Sequence, residues 1–358
     1  MIFKNYFLKL KMGIKKLVEF LRSKFPDVFK PIHLSDLAYK KVAIDIFYYL
    51  CIYKYRFGER FLFQMLRMIS ILRKNDIHCV VVFDGKAPAD KDNEKKERRE
   101  NKEKAQDNIS RVEDALENFR ETGIIDEILL DFQKKRKLEI DTVFVKKSIL
   151  NVKGIEGELV KMKKQLFQIS PKNIADFKRI LTLIKVPYIE AKGEAELLCS
   201  SLCLEGKIDA VLSDDTDVLA YTTPIFITKI DFAESACMRI DYTDLLKNLN
   251  LTSEQFLDFC ILCGTDYNKN IPGIGVVKAY SLITKYKKIE NIKGVDTAGL
   301  NHIRVRELFH TREKYENDIP YCGDPDFQAL NNFLISINVG TDLSTIVKNF
   351  TKEIIFES

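Results

Sequence analysis

Apolar and polar positions along the chain predict helices that alternate with short strands. Residues 14–25 have the apolar spacing of a short amphipathic helix, and "KKVAIDIF" then gives an apolar strand that ends in Asp45. A longer apolar-periodic helix is predicted over 59–75. It is followed by the strand in "HCVVVFDGKAP", which ends in Asp84 before glycine and proline breakers. The same succession of strand, acid and helix therefore occurs twice.

The middle of the chain has a different pattern. From Lys91 to about Arg120, lysines and arginines alternate with glutamates in helical rhythm, and an apolar stripe appears only from Val112. This pattern favours an exposed or projecting helix, and a solvated face is the simplest explanation for most of its charges. Residues 124–165 are mixed and basic, and helices are favoured there.

The alternation then resumes. A helix is predicted over 172–185, followed by a strand in "VPYIEA", a helix from Gly193 onward, and strands in "DAVLSDD" and "IFITKI". Beyond Tyr242 only helices are predicted. Strands that alternate with helices imply right-handed crossovers, so we expect an α/β fold with a mainly parallel central sheet and a helical C-terminal part.

Composition adds few constraints to this picture. The chain has 358 residues, 46% of them hydrophobic, and a net charge of +5, which is too small to name a nucleic-acid partner by itself. Its eight cysteines have no framework spacing, and nothing at the start resembles a signal peptide, so we expect an intracellular protein. A zinc site from Cys199, Cys203, Cys260 and Cys263 is disfavoured, because both pairs lie in apolar helical patterns. No apolar run reaches the roughly 20 residues of a membrane span.

Acids follow the predicted strands. Asp45 and Asp84 each end a strand, Asp214, Asp215 and Asp217 follow another, and Glu194 and Glu196 open the helix after "VPYIEA". Each acid alone is explained most simply as a helix cap or first-turn residue. Together, at the carboxyl ends of parallel strands, they would converge without an interleaved base, and hard oxygen ligands in such number suit Mg²⁺ or Mn²⁺.

Two such ions, about 4 Å apart, can hydrolyse a phosphodiester without a nucleophilic side chain. The four histidines and the scattered serines show no spacing typical of a catalytic triad. Metal-dependent phosphodiester hydrolysis is therefore favoured over covalent catalysis.

A glycine-containing turn between two helices follows at "LCGTDYNKNIPGIGVVKAYSLITKY", and it adds Asp266 to the acids. Gly273 and Gly275 let backbone amides approach a phosphate, and the start of the next helix favours an anion. A tight interhelical turn is an equally weighted alternative. Lys278 and the later basic residues favour a sequence-independent contact with a DNA backbone.

These motifs resemble the flap endonuclease and XPG-like family of structure-specific 5′ nucleases. "MGIKKL", "KVAID", "VFDGKAP", "GEAE", "SDDTD" and "GTDYNKNIPGIG" occur in the family's order over most of residues 12–290. The resemblance implies a PIN-like nuclease domain, a projecting helical arch and a helix-two-turn-helix motif that binds duplex DNA. It implies two Mg²⁺ or Mn²⁺ ions held by the metal acids Asp45, Asp84, Glu194, Glu196, Asp215, Asp217 and Asp266. Asp214 falls where the family has no ligand, so we expect it to point away.

The resemblance also implies a lysine and an arginine beside the scissile phosphate, where their charge would stabilise the transition state. Lys91 matches the lysine. The arginine stays open, because distance from Asp84 gives Arg98 whereas alignment on "ERR" gives Lys95. The family's glycine near the N-terminus, close to the active site and DNA, is matched by Gly13.

In the turn, the family binds a monovalent cation, usually K⁺, through carbonyls and a hydroxyl. Ile271 and Ile274 match the carbonyl donors, whereas Asn270 stands where a serine is common. An amide oxygen at Asn270 could substitute for that hydroxyl.

The chain also departs from the family. The segment before Met12 is extra, so translation starts either at Met12, which we favour, or at Met1. Cys51 stands where the family stacks a base on tyrosine, with Tyr49 or Tyr53 as possible substitutes. Segment 124–165 makes the expected arch longer than usual. "QALNNFL" (328–334) is interpreted as a core helix, not as a sliding-clamp motif.

The expected organisation has four regions: 12–120 with the nuclease start and the first part of the arch, 121–170 as arch insertion, 171–241 as internal nuclease region, and 242–358 as helical DNA-binding region. The leading hypothesis is a 5′-flap endonuclease with 5′–3′ exonuclease activity in DNA replication, repair or recombination. It would act as a monomer on double-stranded DNA with a flap or branch, away from membranes, in the nucleus if the host is eukaryotic. The alternatives are a bubble, gap or Holliday-junction nuclease, or a catalytically silent DNA-binding scaffold.

Overall fold

The fold was obtained as a computed structural model, which describes residues 13–86, 88–138, 150–339 and 342–351, apart from the side chains at 89, 93–95 and 165. These residues form two compact units. The smaller unit contains the described residues of Asp92–Gln168, and the larger unit contains those of Lys9–Lys91 and Ile169–Ser358.

The larger unit is built on a seven-stranded sheet with strand order β1-β7-β6-β5-β2-β3-β4. The strands are β1 Lys30–His33, β2 Lys41–Asp45, β3 His78–Phe83, β4 Tyr188–Glu190, β5 Ala210–Leu212, β6 Ile225–Asp231 and β7 Ala236–Asp241. The run from β6 through β5, β2 and β3 to β4 is parallel, whereas β7 pairs antiparallel with both β6 and β1. The prediction of a mainly parallel sheet is confirmed.

The two antiparallel strands were not predicted. β1 contains Pro31 and is mostly exposed, which fits an edge strand but gives little apolar signal. In β7, half-buried residues such as Arg239 interrupt the apolar pattern. Both strands are therefore defined by their pairing partners more than by their own sequence.

The described residues form α-helices in both units. They are α1 Leu17–Lys24, α2 Ile46–Phe57, α3 Phe61–Lys74, α4 Asp92–Thr122, α5 Glu127–Arg136, α6 Val152–Gln165, α7 Pro171–Leu183, α8 Ala195–Leu204, α9 Asp217–Ala220, α10 Tyr242–Leu249, α11 Ser253–Cys263, α12 Val276–Tyr286, α13 His302–His310, α14 Phe327–Ser336 and α15 Ser344–Phe350. Within the described residues, no helix is both long and apolar enough to cross a membrane.

Buried side chains lie on both faces of the sheet. In β2, Val42 and Ile44 belong to one core cluster, whereas Ala43 between them belongs to the other. A strand covered on both faces is apolar at nearly every position, which explains the uninterrupted apolar run in "KVAID". α14 adds Leu330 and Leu334 to the second cluster, so "QALNNFL" forms a core helix as interpreted from its spacing.

The smaller unit consists of α4, α5 and α6, with its own apolar core. The buried stripe of α4 begins at Ile109 and continues through Val112 and Leu116, whereas the first part of the helix is exposed or half-buried where side chains are described. α5 and α6 account for the helices predicted over 124–165, and residues 139–149 lie outside the described part. Its role as an arch stays a prediction, as do the region boundaries.

The C-terminal helices of the larger unit contain a compact ion network, here named the Arg306 network, in which Arg306 binds Asp258 and Glu290. Arg306 Nε donates to Asp258 Oδ1 at 2.6 Å, and Nη2 donates to Asp258 Oδ2 at 2.7 Å and to Glu290 Oε2 at 3.0 Å. The side chain of Asp258 is 3% exposed. The guanidinium thus pairs with both carboxylates in the fork geometry that favours arginine.

Candidate active site and DNA-binding turn

The parallel register brings the strand-end acids to one edge of the sheet. Asp45 is the last residue of β2 and lies opposite Val82 of β3, so Asp84 follows the end of β3 at the same edge. Ile44 lies opposite Leu212 of β5, which places the acids after β5 beside them. The sequence-based expectation that these acids converge agrees with this register.

Glu194 and Glu196 enter from α8. Glu194 is the N-cap residue and Glu196 lies in the first turn, and both are buried. Asp84, which is exposed, accepts a hydrogen bond from the amide of Ala195 at 2.9 Å, so it caps α8 from a neighbouring strand. Asp84 thus combines a helix-capping role with a place in the group of acids.

The acids after β5 are linked to Asp45 through a serine. Ser213 Oγ donates to Asp45 Oδ2 at 2.9 Å and accepts from the amide of Asp215 at 2.9 Å. Asp215 Oδ1 accepts from the amide of Asp217 at 2.8 Å. Asp217 is 1% exposed, and neither of its carboxylate oxygens has a hydrogen-bond partner. A buried carboxylate without partners is costly, which indicates a role that needs its oxygens.

We name the seven predicted metal acids the acid cluster: Asp45, Asp84, Glu194, Glu196, Asp215, Asp217 and Asp266. Burial, and then repulsion by Asp84 and Asp215, raise the pKa of Asp45 to about 8. Burial, and then Asp266, raise the pKa of Asp215 to about 7. Burial and neighbouring carboxylates also raise the pKa of Asp217. The environment of the cluster therefore disfavours the charged form of these carboxyl groups.

Lys91 projects into the acid cluster. Its Nζ forms an ion pair with Glu194 and lies 3.4 Å from Glu196 Oε1 and 3.3 Å from Asp266 Oδ2. Burial lowers the pKa of Lys91, but Glu196, Glu194 and Asp266 outweigh it and the net shift is upward. The ammonium therefore stays charged and offsets part of the cluster's charge.

Two tyrosines that the sequence pattern did not single out hold Glu194. Tyr267 Oη donates to Glu194 Oε2, and the Tyr221 and Tyr267 hydroxyls lie 2.7 Å apart. Lys91 Nζ also lies 5.1 Å from the centre of the Tyr267 ring. Burial and then the charge of Glu194 raise the pKa of Tyr267, which keeps its hydroxyl a donor. The helical spacing of Asp217 and Tyr221, and the position of Tyr267 directly after Asp266, were the available sequence signals.

Gly13 packs directly against the acid cluster. Its φ is 68°, and a Cβ there would clash with Asp215 Oδ1 and lie 2.6 Å from Thr216 Oγ1. The amide of Ile14 donates to the same Thr216 Oγ1 at 2.9 Å. Only glycine combines this backbone conformation with such close contact. Met12 lies outside the described residues.

Asp214 faces a different set of partners. Its Oδ1 accepts from Thr228 Oγ1 and from the amide of Lys229 at 3.2 Å, and Lys229 Nζ lies 3.2 Å away. The neighbouring strand β6 therefore holds Asp214. This position agrees with the expectation that Asp214 points away from the acid cluster.

Arg98 and Lys95 lie on α4, in the smaller unit. Arg98 is exposed, and the side chain of Lys95 is outside the described residues. Their part in the site stays a prediction.

On α2, the candidate stacking residues differ in exposure. Tyr49 and Cys51 are buried, and Tyr53 is half-buried with its ring centre 5.5 Å from that of Phe57. Phe47 and Phe57 are the exposed aromatic side chains of this helix, at 40% and 43%. The burial of Tyr49 argues against its use as a stacking surface.

The turn that joins α11 to α12 is the candidate DNA-binding turn. Gly273 has a φ of 77°, and Gly275 is the N-cap of α12, where no side chain caps the first amides. Lys278 is exposed on the first turn of the helix. The predicted helix–glycine turn–helix is therefore present, and an uncapped helix start is a suitable site for a phosphate.

In the same turn, the side chain of Asn270 faces the carbonyls of Ile271 and Ile274. The amide nitrogen Nδ2 points toward these oxygens, and the amide oxygen accepts from Lys15 Nζ. The expected arrangement, with the amide oxygen of Asn270 beside the carbonyls, is not the one observed.

The donor set of the acid cluster fits hard divalent cations. Buried carboxylates converge, and Asp217 offers two oxygens without partners. In the described part of the chain, no group of three or more His, Cys, Asp and Glu side chains is already arranged around one ion position. Lys91 occupies space between the carboxylates, so metal binding requires this side chain to move.

Known proteins resemble this chain in both sequence and fold. Residues 12–105 match the XPG N-terminal domain, and residues 185–266 match the XPG I-region. A probable RAD2-like endonuclease of Invertebrate iridescent virus 3 is 36% identical over 363 residues, which cover 92% of this chain and 95% of the relative. Flap endonuclease 1 of Scheffersomyces stipitis is 30% identical over 304 residues, or 78% of this chain and 68% of the relative.

Two solved structures share the fold. The catalytic core of Rad2 in complex with DNA substrate superimposes with a TM-score of 0.66 and 17% identity, covering 95% of this chain and 100% of that chain. Flap endonuclease-1 from Methanococcus jannaschii gives a TM-score of 0.61 and 22% identity, covering 91% and 96%. The fold is thus the PIN-like nuclease fold. Because the two XPG regions occur in order and the viral relative matches along nearly the whole chain, the chain belongs to the XPG-like family of structure-specific 5′ nucleases.

Proposed function

We propose that this protein hydrolyses phosphodiesters in flapped or branched DNA, as a metal-dependent 5′-flap endonuclease that also trims 5′ ends. The observation that carries the proposal is the buried acid cluster, in which both oxygens of Asp217 lack partners. Such a group of carboxylates is unfavourable by itself and is well matched to divalent cations. The glycine turn before α12, with a helix start that no side chain caps and that suits a phosphate, supports duplex DNA as the substrate.

Two Mg²⁺ or Mn²⁺ ions bound by the acid cluster would activate a water and stabilise the leaving oxygen of the phosphodiester. The chain's own residues prepare this chemistry. Ser213 links Asp45 to the segment that carries Asp215, and Tyr267 fixes one oxygen of Glu194. Lys91, released from the carboxylates, would place its charge beside the scissile phosphate.

A cleavage assay tests the proposal. A labelled 5′-flap duplex is incubated with Mg²⁺ and the wild type, Asp215→Asn or Asp217→Asn. We expect both variants to lose cleavage by at least about 100-fold, since each removes charge that a metal site requires. Asp214→Asn is the matched control, because its carboxylate contacts β6. It should retain nearly wild-type activity, and unchanged cleavage by the two cluster variants would remove them from the mechanism.

A bubble, gap or junction nuclease is the second candidate. The observation that favours it is the replacement at Cys51 together with the burial of Tyr49, since the expected stacking surface for a flap junction is changed. Rates on flap, bubble, gapped and four-way junction substrates of equal arm length decide between them. Fastest cleavage of the flap supports the leading proposal. DNA binding without cleavage under either Mg²⁺ or Mn²⁺ would instead favour a silent scaffold.

A further inference from the structure

A hydrogen-bond network centred on Asn270 lies inside the DNA-binding turn. The amide nitrogen Nδ2 donates to the carbonyl of Ile271 at 3.3 Å and to that of Ile274 at 3.2 Å. The amide oxygen Oδ1 accepts from Lys15 Nζ at 3.2 Å. These three contacts define which end of the amide faces which partner. In the reverse orientation, the amide oxygen would face two carbonyl oxygens and the NH₂ group would face the ammonium.

The carbonyl oxygens of Ile271 and Ile274, which accept hydrogen bonds in this network, are those that the family resemblance assigns to K⁺. A cation bound between the carbonyls of Ile271 and Ile274 would lie where the amide nitrogen lies, because K⁺ sites in proteins are formed by such oxygens. The ammonium of Lys15 stands on the other side of the same amide and would repel a second cation. The residues, as arranged, therefore do not fit a monovalent cation.

We propose that the amide of Asn270, oriented by Lys15, takes the place of a monovalent cation, so that this turn binds duplex DNA without K⁺. The inference rests on the proposed binding of duplex DNA by the turn. It concerns how this chain stabilises the turn.

The hydrogen-bond network around Asn270 can supply both effects of a bound cation, namely the geometry of the turn and a positive charge. The first is geometric, because the amide bridges the carbonyls on either side of Gly273, and the amide of buried Ile274 also donates to the Ile271 carbonyl at 3.0 Å. The turn is thereby held with the uncapped start of α12 open to a phosphate.

The second contribution is charge. Lys15 brings its ammonium to the turn, and its backbone amide donates to the Gly264 carbonyl at 3.3 Å, at the end of α11. Lys15 is therefore attached at the beginning of the turn and at its centre. A fixed positive charge there favours a DNA backbone as a cation would, without the need to bind an ion from solution.

Duplex binding in different salts tests the proposal. The dissociation constant of a fluorescein-labelled blunt DNA duplex is measured by anisotropy, in EDTA, with KCl, NaCl or tetramethylammonium chloride at one ionic strength. The full chain is used as wild type, Asn270→Ser, Lys15→Met and Asn248→Ser. Asn248 is the matched control, since its exposed amide donates to the carbonyl of Asp244 on α10, outside the turn.

Wild type and Asn248→Ser should bind with the same affinity in all three salts, within about twofold, because only ionic strength then matters. Asn270→Ser opens the carbonyls and adds a hydroxyl, so it should bind at least about fivefold more tightly in KCl than in tetramethylammonium chloride. Lys15→Met frees the amide to reverse, and it should gain a smaller preference for K⁺.

A wild type that binds about fivefold more tightly in KCl would overturn the inference while leaving the proposed function intact. Indifference of both Asn270→Ser and Lys15→Met to the cation would also overturn it. Absence of duplex binding by the wild type in every salt would instead overturn the proposed function, and this inference with it.

Discussion

The acid cluster and the Arg306 network are built from the same kinds of side chain, yet they differ in balance. In the network, Arg306 donates to both Asp258 and Glu290, and its hydrogen bonds lower the pKa of Glu290 to about 2. In the acid cluster, Lys91 pairs with Glu194, Glu196 and Asp266, and burial, followed by repulsion from Asp84 and Asp215, raises the pKa of Asp45 to about 8.

The difference between the two regions distinguishes charged side chains that stabilise the fold from charged side chains that serve a function. In the Arg306 network, both acids are hydrogen-bonded to the same guanidinium, so each carboxylate has a cationic partner within the fold. Where acids stay in excess, the fold carries an unfavourable charge whose neutralisation must come from elsewhere. The lowered pKa of Glu290 in the network and the raised pKa of Asp45 in the cluster express this contrast.

The largest expected effect is the loss of stability when the Arg306 network is broken. Arg306→Met leaves buried Asp258 without its cation, so the free energy of unfolding should fall by about 3 kcal/mol or more. Urea unfolding measures it. Arg304→Met is the control, because Arg304 pairs with Asp90 at an exposed site, 48% open on the arginine side, and should cost less than about 1 kcal/mol. Equal losses in both variants would contradict the contrast.

A smaller effect is expected on metal binding when a tyrosine hydroxyl is removed. Tyr267→Phe keeps the ring beside Lys91 but deletes the donor to Glu194, so the Mn²⁺ concentration for half-saturation should rise about 10- to 100-fold. The dissociation constant for DNA and the unfolding temperature should change little. Tyr280→Phe, which deletes a hydroxyl bound to the Leu249 carbonyl, is the matched control. Identical Mn²⁺ affinities in the two variants would show that Tyr267 does not position Glu194.

Removing one charge from the acid cluster should change the free energy of unfolding in the opposite direction to breaking the Arg306 network. In EDTA near neutral pH, Asp217→Asn should raise the free energy of unfolding by about 1 kcal/mol, since it removes a carboxyl group whose ionisation is disfavoured by burial and then by Asp215 and Asp266. The same variant should lose cleavage. If it is instead less stable than wild type, the cluster is not under the electrostatic stress inferred for it.

The pH dependence of stability follows from the same raised pKa values. The pKa values of Asp45 and Asp215 are raised in the folded state, to about 8 and about 7, above ordinary aspartate values near 4. Between these limits the folded state binds more protons than the unfolded state. The free energy of unfolding in EDTA should therefore fall as pH rises from about 5 to 8, by at most about 1.4 kcal/mol per pH unit for each proton.

Asp45→Asn should flatten this profile, and comparison with wild type cancels the contribution of histidines such as His78. Urea titrations at several pH values measure both curves. Identical slopes would show that Asp45 does not carry the raised pKa.

The parts of the molecule that could be predicted from sequence are those with a local signal. Strands buried on both faces gave long apolar runs, and the acids at their ends converged because parallel strands share one edge. The edge strand β1 could not be predicted, because Pro31 and exposed neighbours hide its pairing with β7.

Contacts between residues that are distant in sequence also could not be predicted, because no local sequence pattern indicates them. Asp258 and Arg306 are 48 positions apart, and neither has a distinctive neighbourhood. The orientation of the Asn270 amide depends on Lys15, which is 255 positions away. The sequence indicated that the amide oxygen of Asn270 would face the carbonyls of the turn. The position of Lys15 shows why the amide nitrogen faces them instead.

The central claim is that the acid cluster is a binding site for divalent cations, and calorimetric titration with Mn²⁺ tests it most directly. Wild type and the double variant Asp215→Asn, Asp217→Asn are titrated in the absence of DNA, after circular dichroism shows that both are folded. The wild type should bind about two ions, and the double variant should lose at least one of them. Equal stoichiometry and affinity in the two proteins would contradict the claim.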